Sequence, residues 1–298
     1  PRRLSRILPP RAPARCLIPM PATISRLLLY PVKGCRGIAL PAARLAPTGL
    51  AVGDIGDREW VIVDDHDEFL SQRELPKMAL IETRLQTGAL RLSAPGVLPL
   101  DIPFESEGDA ARIRVWDDEL QAVTQGDLVD RWFSDFLGRR ARLMRFDPLA
   151  KRTSKRRYTG ATEAPYKFAD AFALLVTSEA SLAHLNARLK VKGISPVDMD
   201  RFRPNVVIDG VDAFEEDYVR EARIGEAVIE LVKPCVRCTV PSVDPARGEQ
   251  GIEPGDTLAA YRNDARAGGV TFGVNGIVAS GAGRELRVGD EVELTLRF

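Results

Sequence analysis

The sequence predicts a mostly β fold of the α+β class, two β-rich halves with a few helices. Three observations carry it. Short runs rich in β-branched and aromatic residues recur between Gly, Pro and Asp punctuation. Only a few stretches show apolar residues at helical spacing. No strand–helix alternation and no repeated unit of roughly 20–50 residues suggests a doubly wound sheet or a solenoid.

Residues 24–33 (ISRLLLYPVK), 58–65 (REWVIVDD), 78–85 (MALIETRL), 89–94 (ALRLSA) and 113–123 (IRVWDDELQAV) read as strands of a barrel or sandwich. One helix interrupts them. Leu128, Val129, Trp132, Phe133, Phe136 and Leu137 form a single apolar stripe, with Asp127 expected as N-cap and Gly138 as C-cap. Residues 151–165 (KRTSKRRYTGATEAP) are polar and basic without periodicity and suggest a domain boundary. They read first as a solvated linker and second as an anion-holding segment. The second half opens on an apolar run, then Ser178 as N-cap of a helix bearing Leu182, Leu185 and Leu189. The segment 202–210 (FRPNVVIDG) follows, then strands at 221–234 and 270–280, with a short helix near 255–263. The last segment alternates across the Val288–Asp290 turn. The expected division is an extension over 1–20, one domain over 21–147 and a second over 148–298.

Composition excludes several functions. The 298 residues carry 42 basic and 42 acidic side chains, so no net field draws the chain to nucleic acid or an acidic membrane. Aromatics are 6%, without the basic–aromatic alternation of a base-stacking surface. No apolar run is long enough for a membrane-spanning helix. Four cysteines argue against a disulfide scaffold and suit a reducing cytoplasm. Two histidines, His66 and His184, limit His-based triads and metal sites. Residues 1–20 hold five arginines, five prolines and no acid. The arginines suit a mitochondrial presequence, but the prolines oppose an amphipathic helix. The expectation is a disordered or non-native extension, with Met20 as a possible natural start, and a cytoplasmic location.

Cys235 and Cys238 form a C-x-x-C pair in KPCVRCTVPSVDPARGE, residues 233–249. A structural zinc site needs about four ligands, and Cys16, Cys35 and both histidines are remote in sequence. A thioredoxin-type dithiol sits at a helix start, whereas Thr239, Val240 and Pro241 do not open a helix readily. An iron–sulfur cluster normally takes four cysteines. Two buried thiols in a β core remain a plain structural reading. The other is a thiolate offered from a strand end beside Lys233 and Arg237, whose charges favour the ionised form. The pattern does not choose between nucleophile and metal ligand.

Six blocks in order resemble the MOSC family: residues 30–37 (YPVKGCRG), 56–65 (GDREWVIVDD), 178–189 (SEASLAHLNARL), 201–210 (RFRPNVVIDG), 235–249 (CVRCTVPSVDPARGE) and 288–294 (VGDEVEL). The resemblance implies an N-terminal β-barrel domain followed by a MOSC β-barrel domain. It further implies a molybdenum–molybdopterin cofactor with Cys238 as the thiolate ligand of the metal. Lys33, Gly34, Arg58, Arg203 and Asn205 fall on the family's phosphate- and pterin-binding positions, with Ala171 and Phe172 close by, partly through backbone groups. That set agrees in kind with physical expectation. Lysine and arginine suit a phosphate, and an asparagine amide both donates and accepts. Two departures stand out. Gly34 replaces a hydroxyl residue found in relatives, and Ala171 and Phe172 lack the small hydroxyls some relatives carry. The resemblance does not require Cys235, which is expected as a small buried residue.

The activity so implied is reduction of small N-hydroxylated compounds such as hydroxylamines, amidoximes and N-hydroxylated bases. No convincing G-x-G-x-x-G unit or four-cysteine cluster motif is present. Electrons are therefore expected from a partner, a flavin reductase with a cytochrome b5-like or ferredoxin-like carrier. Asp244 is a candidate for positioning water or a proton, though Asp-Pro is first a turn signal. Three other functions stay open. One is sulfur transfer, as in the molybdenum cofactor sulfurases, where a pyridoxal-phosphate domain that does not fit in these residues supplies the sulfur. The others are non-catalytic cofactor binding and a β-rich protein without cofactor.

Overall fold

The computed structural model describes residues 21–105 and 108–297. Cys16, Met20 and the expected N-terminal extension lie outside the described residues. The second half is built on a closed seven-stranded barrel. Around it run Leu174–Ser178, Val206–Asp209, Ala22–Leu29, Glu291–Leu296, Val219–Ile224, Ala227–Val236 and Gly269–Ser280, which returns to Leu174–Ser178. The Leu174–Ser178 and Val206–Asp209 strands run parallel, and the other pairs are antiparallel. Closure leaves the barrel no unpaired edge. Its interior is apolar: Ile24, Leu27, Leu29, Val176, Val206, Ile208, Ile229, Leu231 and Val274 are buried in one cluster.

The Leu174–Ser178 to Val206–Asp209 crossover carries the helix Glu179–Val191. Ser178 caps it as expected, its Oγ accepting from the Ser181 N–H at 3.1 Å. Leu182, Leu185 and Leu189 pack with Met199, Phe202 and Phe272. His184 lies on this helix but is not a plain surface residue: Arg188 Nε donates to it, and its ring packs on Phe214 and Tyr261.

Three smaller sheets make up most of the first half. One orders Ala110–Val115, Asp118–Thr124, Arg142–Phe146 and Trp60–Val63, and another holds Glu82–Gln86, Ala89–Ser93 and Leu100–Pro103. The helix Asp127–Leu137 buries Val129, Trp132, Phe133 and Leu137 against Ile62, Leu70, Met78 and Leu143. Its C-cap is Gly138, left-handed at φ 71°, as the sequence indicates; its N-cap is Gly126 at φ 93°. Asp127 instead occupies the first helical turn without a capping bond, where its charge still opposes the positive end of the helix dipole.

The halves interlock. Ala22–Leu29 is the first strand of the described residues yet completes the barrel of the second half. Near the other end, Glu285–Arg287 pairs with Ala42–Ala46 of the first half. The two strand segments flanking the Val288–Asp290 turn therefore enter different sheets.

Candidate cofactor and substrate cavity

Ala227–Val236 ends at the cysteine pair, and Arg237 N still donates to Val270 O of the neighbouring strand at 2.7 Å. This rigid strand end presents Cys235 and Cys238 to a cavity of about 610 Å³. Such a volume suits a small-molecule or cofactor site, typically ~300–1,000 Å³. Cys238 is exposed and Cys235 half-buried. The expectation of a buried Cys235 is therefore corrected: Arg237 Nη1 contacts its sulfur at 3.1 Å on the cavity wall. The buried cysteine is Cys35, whose thiol is pushed up to about 12 by burial, with Arg203 opposing the shift.

Lys33, Gly34, Arg58, Ala171, Phe172, Arg203, Asn205 and Cys238 all line this cavity. Their roles divide. Lys33 Nζ donates to Phe168 O at 2.9 Å and pairs with Asp170 Oδ1 at 2.5 Å. Burial pushes the Lys33 ammonium down, and Asp170 opposes that shift. Asp170 experiences the reverse: burial alone would raise it, but the Lys33 charge and the Trp116 indole hold it well below the usual carboxylate range. The Asp170 side chain is still 71% exposed, because it projects from a cavity wall.

Arg58 and Arg203 adopt left-handed backbone at φ 47° and 58°, a conformation that L-residues with long side chains rarely take. Both guanidiniums lie over the Tyr30 ring, 4.4 and 4.3 Å from its centroid. Arg58 pairs with buried Asp57 and donates to Asn205 Oδ1 at 3.1 Å. Arg203 Nη1 donates to Cys35 O at 2.6 Å. Burial, then repulsion by Arg58, pushes the Arg203 guanidinium down.

Asn205 is only 1% exposed. Its Oδ1 accepts from Leu175 N at 3.2 Å and its Nδ2 donates to Leu28 O at 3.2 Å. The amide expected to meet a pterin thus holds Arg58 and two barrel strands in place. Gly34 takes φ +84°, and an added Cβ would sit 2.5 Å from Met78 Cε. The missing hydroxyl therefore has a conformational reason. The Ala171 carbonyl accepts from Ser154 Oγ at 2.7 Å, and Phe172 is buried, edge-on to Tyr158.

Asp244 does not line this cavity. Its Oδ1 accepts from Ala246 N at 2.8 Å and its carboxylate pairs with Arg201 at 3.5 Å. The backbone hydrogen bond from Ala246, more than the Arg201 charge, lowers its pKa despite slight burial. The candidate proton role is corrected to turn chemistry, which an Asp-Pro dipeptide supplies locally.

The basic segment at 151–157 is solvated only in part: Lys151, Lys155, Arg156 and Arg157 are exposed, but Arg152 and Ser154 are buried. Arg152 is 6% exposed, pairs with Asp118 and donates to Lys167 O and Ala169 O. Lys155, Arg157 and Tyr158 line the cavity with it. Trp116 joins them at a left-handed hairpin position, φ 58°, with Arg73 4.4 Å over its ring. The basic run was the sequence signal for this wall; Trp116 and Arg73 gave none.

Nine Lys or Arg side chains and three carboxylates line the cavity of a chain whose net charge is zero. Lys33, Arg58 and Arg152 have carboxylate partners. Arg73, Lys155, Arg157, Arg203, Lys233 and Arg237 form no ion pair among the described residues. An exposed thiol, a half-buried one beside it and a surplus of cationic donors make a donor set that fits a phosphate-bearing, thiolate-ligated metal cofactor.

Residues 21–140 match the family described as the MOSC N-terminal beta barrel domain, and residues 163–293 match the MOSC domain. The chain is 34% identical over 248 residues to mitochondrial amidoxime reducing component 2 of Rattus norvegicus, covering 80% of this chain and 72% of that protein. It is 32% identical over 264 residues to mitochondrial amidoxime-reducing component 1 of Homo sapiens, covering 83% and 74%. A molybdenum cofactor sulfurase of Oryza sativa subsp. japonica is 32% identical over 297 residues, 90% of this chain but 35% of the sulfurase. With both domain families matched in order and relatives of this identity spanned over more than two thirds of their length, the chain belongs to the MOSC family.

Proposed function

We propose that the chain binds a molybdenum–molybdopterin cofactor and reduces small N-hydroxylated compounds with electrons from a partner protein. One observation carries the reading: an exposed Cys238 thiol on the wall of a cavity with six cations that lack carboxylate partners among the described residues. The relatives named amidoxime-reducing components supply the reaction class. Cys238 would hold the metal, and Arg58 and Arg203, pinned over Tyr30, would hold the phosphate-bearing pterin. When bound, the cofactor supplies the two-electron reduction of an N–O bond. The chain's own residues fix its orientation and neutralise its phosphate. A flavin reductase with a cytochrome b5-like or ferredoxin-like carrier fits the need for external electrons. The reading includes a cytoplasmic location, where free thiols persist.

The test is elemental analysis of protein expressed with molybdate, together with turnover of benzamidoxime using a reduced viologen as electron donor. Near-stoichiometric molybdenum and benzamidine formation support the reading. Metal-free, inactive protein sinks it. A second reading, sulfur transfer, is favoured by the match to the sulfurase over 90% of this chain. A persulfide on Cys238 in molybdenum-free protein is its signature.

A further inference from the structure

We propose that Arg157 and Lys233, with Lys155 beside them, form an anion-binding subsite around Tyr158 that takes a carboxylate or phosphate group of the substrate. This rests on the reductase reading above and narrows its substrates to anionic N-hydroxylated compounds.

Arg157 and Tyr158 come from the basic segment, and Lys233 from the strand that ends in the cysteine pair. Tertiary folding nevertheless brings both cations onto one ring, 4.7 Å and 5.0 Å from its centroid. Neither has a carboxylate partner among the described residues, and Lys155 lines the same wall. Like charges gathered this closely repel, and a bound anion relieves the repulsion.

The ring they share is fixed. Tyr158 packs edge-on against buried Phe172, with centroids 5.7 Å apart. The segment that carries it is tied down by the Ser154 bond to Ala171 O and the Arg152 bonds to Lys167 O and Ala169 O. Around the phenol, burial favours the neutral form, but Lys233 and Arg157 outweigh it and lower the pKa. Negative charge is thus favoured at this point of the cavity.

The subsite is separate from the residues on the family's cofactor positions. Lys33 and Arg58 are engaged with Asp170 and Asp57, and Arg203 is held over Tyr30. Lys233 lies on the same strand as the cysteine pair, so an anion near it shares the cavity with Cys238. A guanidinium binds carboxylate or phosphate as a planar fork and an ammonium as a point charge, and the pair suits either oxyanion.

The experiment compares four amidoximes on the protein as purified: benzamidoxime and its 4-carboxy, 4-phosphono and 4-trimethylammonio derivatives. Binding by calorimetry and KM in viologen-driven turnover are both read. The anionic compounds are expected to bind roughly tenfold tighter than benzamidoxime, about the value of one charge-assisted hydrogen bond. The cationic compound binds more weakly than benzamidoxime, and the differences shrink at about 0.5 M salt. Arg157→Gln and Lys233→Gln each narrow the anion preference, whereas Arg112→Gln, on an exposed strand of the first half, leaves it intact. Equal affinity for charged and neutral compounds overturns the subsite. So does loss of molybdenum in either cavity variant, which would assign these cations to the cofactor. Failure of the reductase reading shows separately, as absence of molybdenum and of benzamidoxime turnover in the unsubstituted protein.

Discussion

Arg58 Nη2 donates to the main-chain oxygen of Arg203 at 3.1 Å, linking two residues 145 positions apart that share a left-handed backbone and one tyrosine ring. Asn205 completes the assembly by accepting from Arg58 Nη1 and Leu175 N. One buried amide thus holds Arg58, and Arg58 in turn holds the Arg203 main chain. Strain of this kind persists only where surrounding contacts over-determine it, and it concentrates at functional sites.

Asn205→Ala removes that brace and strands the Leu175 N–H inside the barrel. The expected loss is about 1–3 kcal/mol for an unsatisfied buried donor. Urea unfolding measures it, and molybdenum per chain is expected to fall with it because Arg58 loses its anchor. Unchanged stability and unchanged loading would show that Asn205 braces nothing.

The three cysteines among the described residues should react in a fixed order. In cofactor-free protein at pH 8, iodoacetamide is expected to label Cys238 and Cys235 and to spare Cys35. Burial keeps the Cys35 thiol protonated at that pH. Loading with cofactor should protect Cys238 selectively, and Cys238→Ser should abolish metal retention while Cys235→Ser keeps it. Peptide mass spectrometry and elemental analysis read both outcomes. Equal protection of the two cavity thiols would count against a single anchoring sulfur.

Glu216 is fully buried and accepts from Ser178 Oγ and Ser181 Oγ. Burial raises its pKa more than the serine hydrogen bonds lower it. The folded protein therefore holds this proton at pH values where the unfolded chain, near 4.3, has released it. Folding then binds a proton, so this group's contribution to stability falls as pH rises above the ordinary glutamate value. Glu216→Gln should remove that dependence. Its unfolding midpoint is expected to gain on the parent as pH rises above the ordinary glutamate range, with the gap closing toward and below that range. A gap that widens on acidification would reverse the sign and refute the argument.

Gly34→Ala forces a Cβ onto a residue at φ +84° beside Met78. The Met78 methyl can move aside, so the main penalty is the left-handed backbone, about 1–2 kcal/mol. Thermal unfolding of the cofactor-free protein is the measurement. A neutral result would mean that the loop relaxes to negative φ.

Local patterns made much of this protein legible in its sequence. Ser178 reads as an N-cap because its hydroxyl meets an N–H three residues away, and Gly138 reads as a C-cap because only its own φ matters. Ordered blocks of sequence pointed to the family and to Cys238, Arg58 and Arg203, since each block keeps its spacing whatever the rest of the chain does. Asp127 and Cys235 depart from expectation where one neighbour outweighs the pattern, Gly126 for the cap and Arg237 for the thiol, whereas Asp244 follows the turn signal of its Asp-Pro dipeptide rather than the candidate proton role.

The sequence by itself determined the β-rich class, the Ser178 and Gly138 caps and, through its ordered blocks, the family. Tertiary structure alone decided that Ala22–Leu29 closes a barrel with strands about 180 and about 270 residues away, and that Arg152, Arg157 and Tyr158 of a linker-like segment line the cavity. The reason is range. Propensity, capping and turn chemistry act over a few residues, whereas strand pairing, burial and the pairing of charges depend on which distant segments meet. The six cavity cations without a carboxylate partner among the described residues are a property of that meeting.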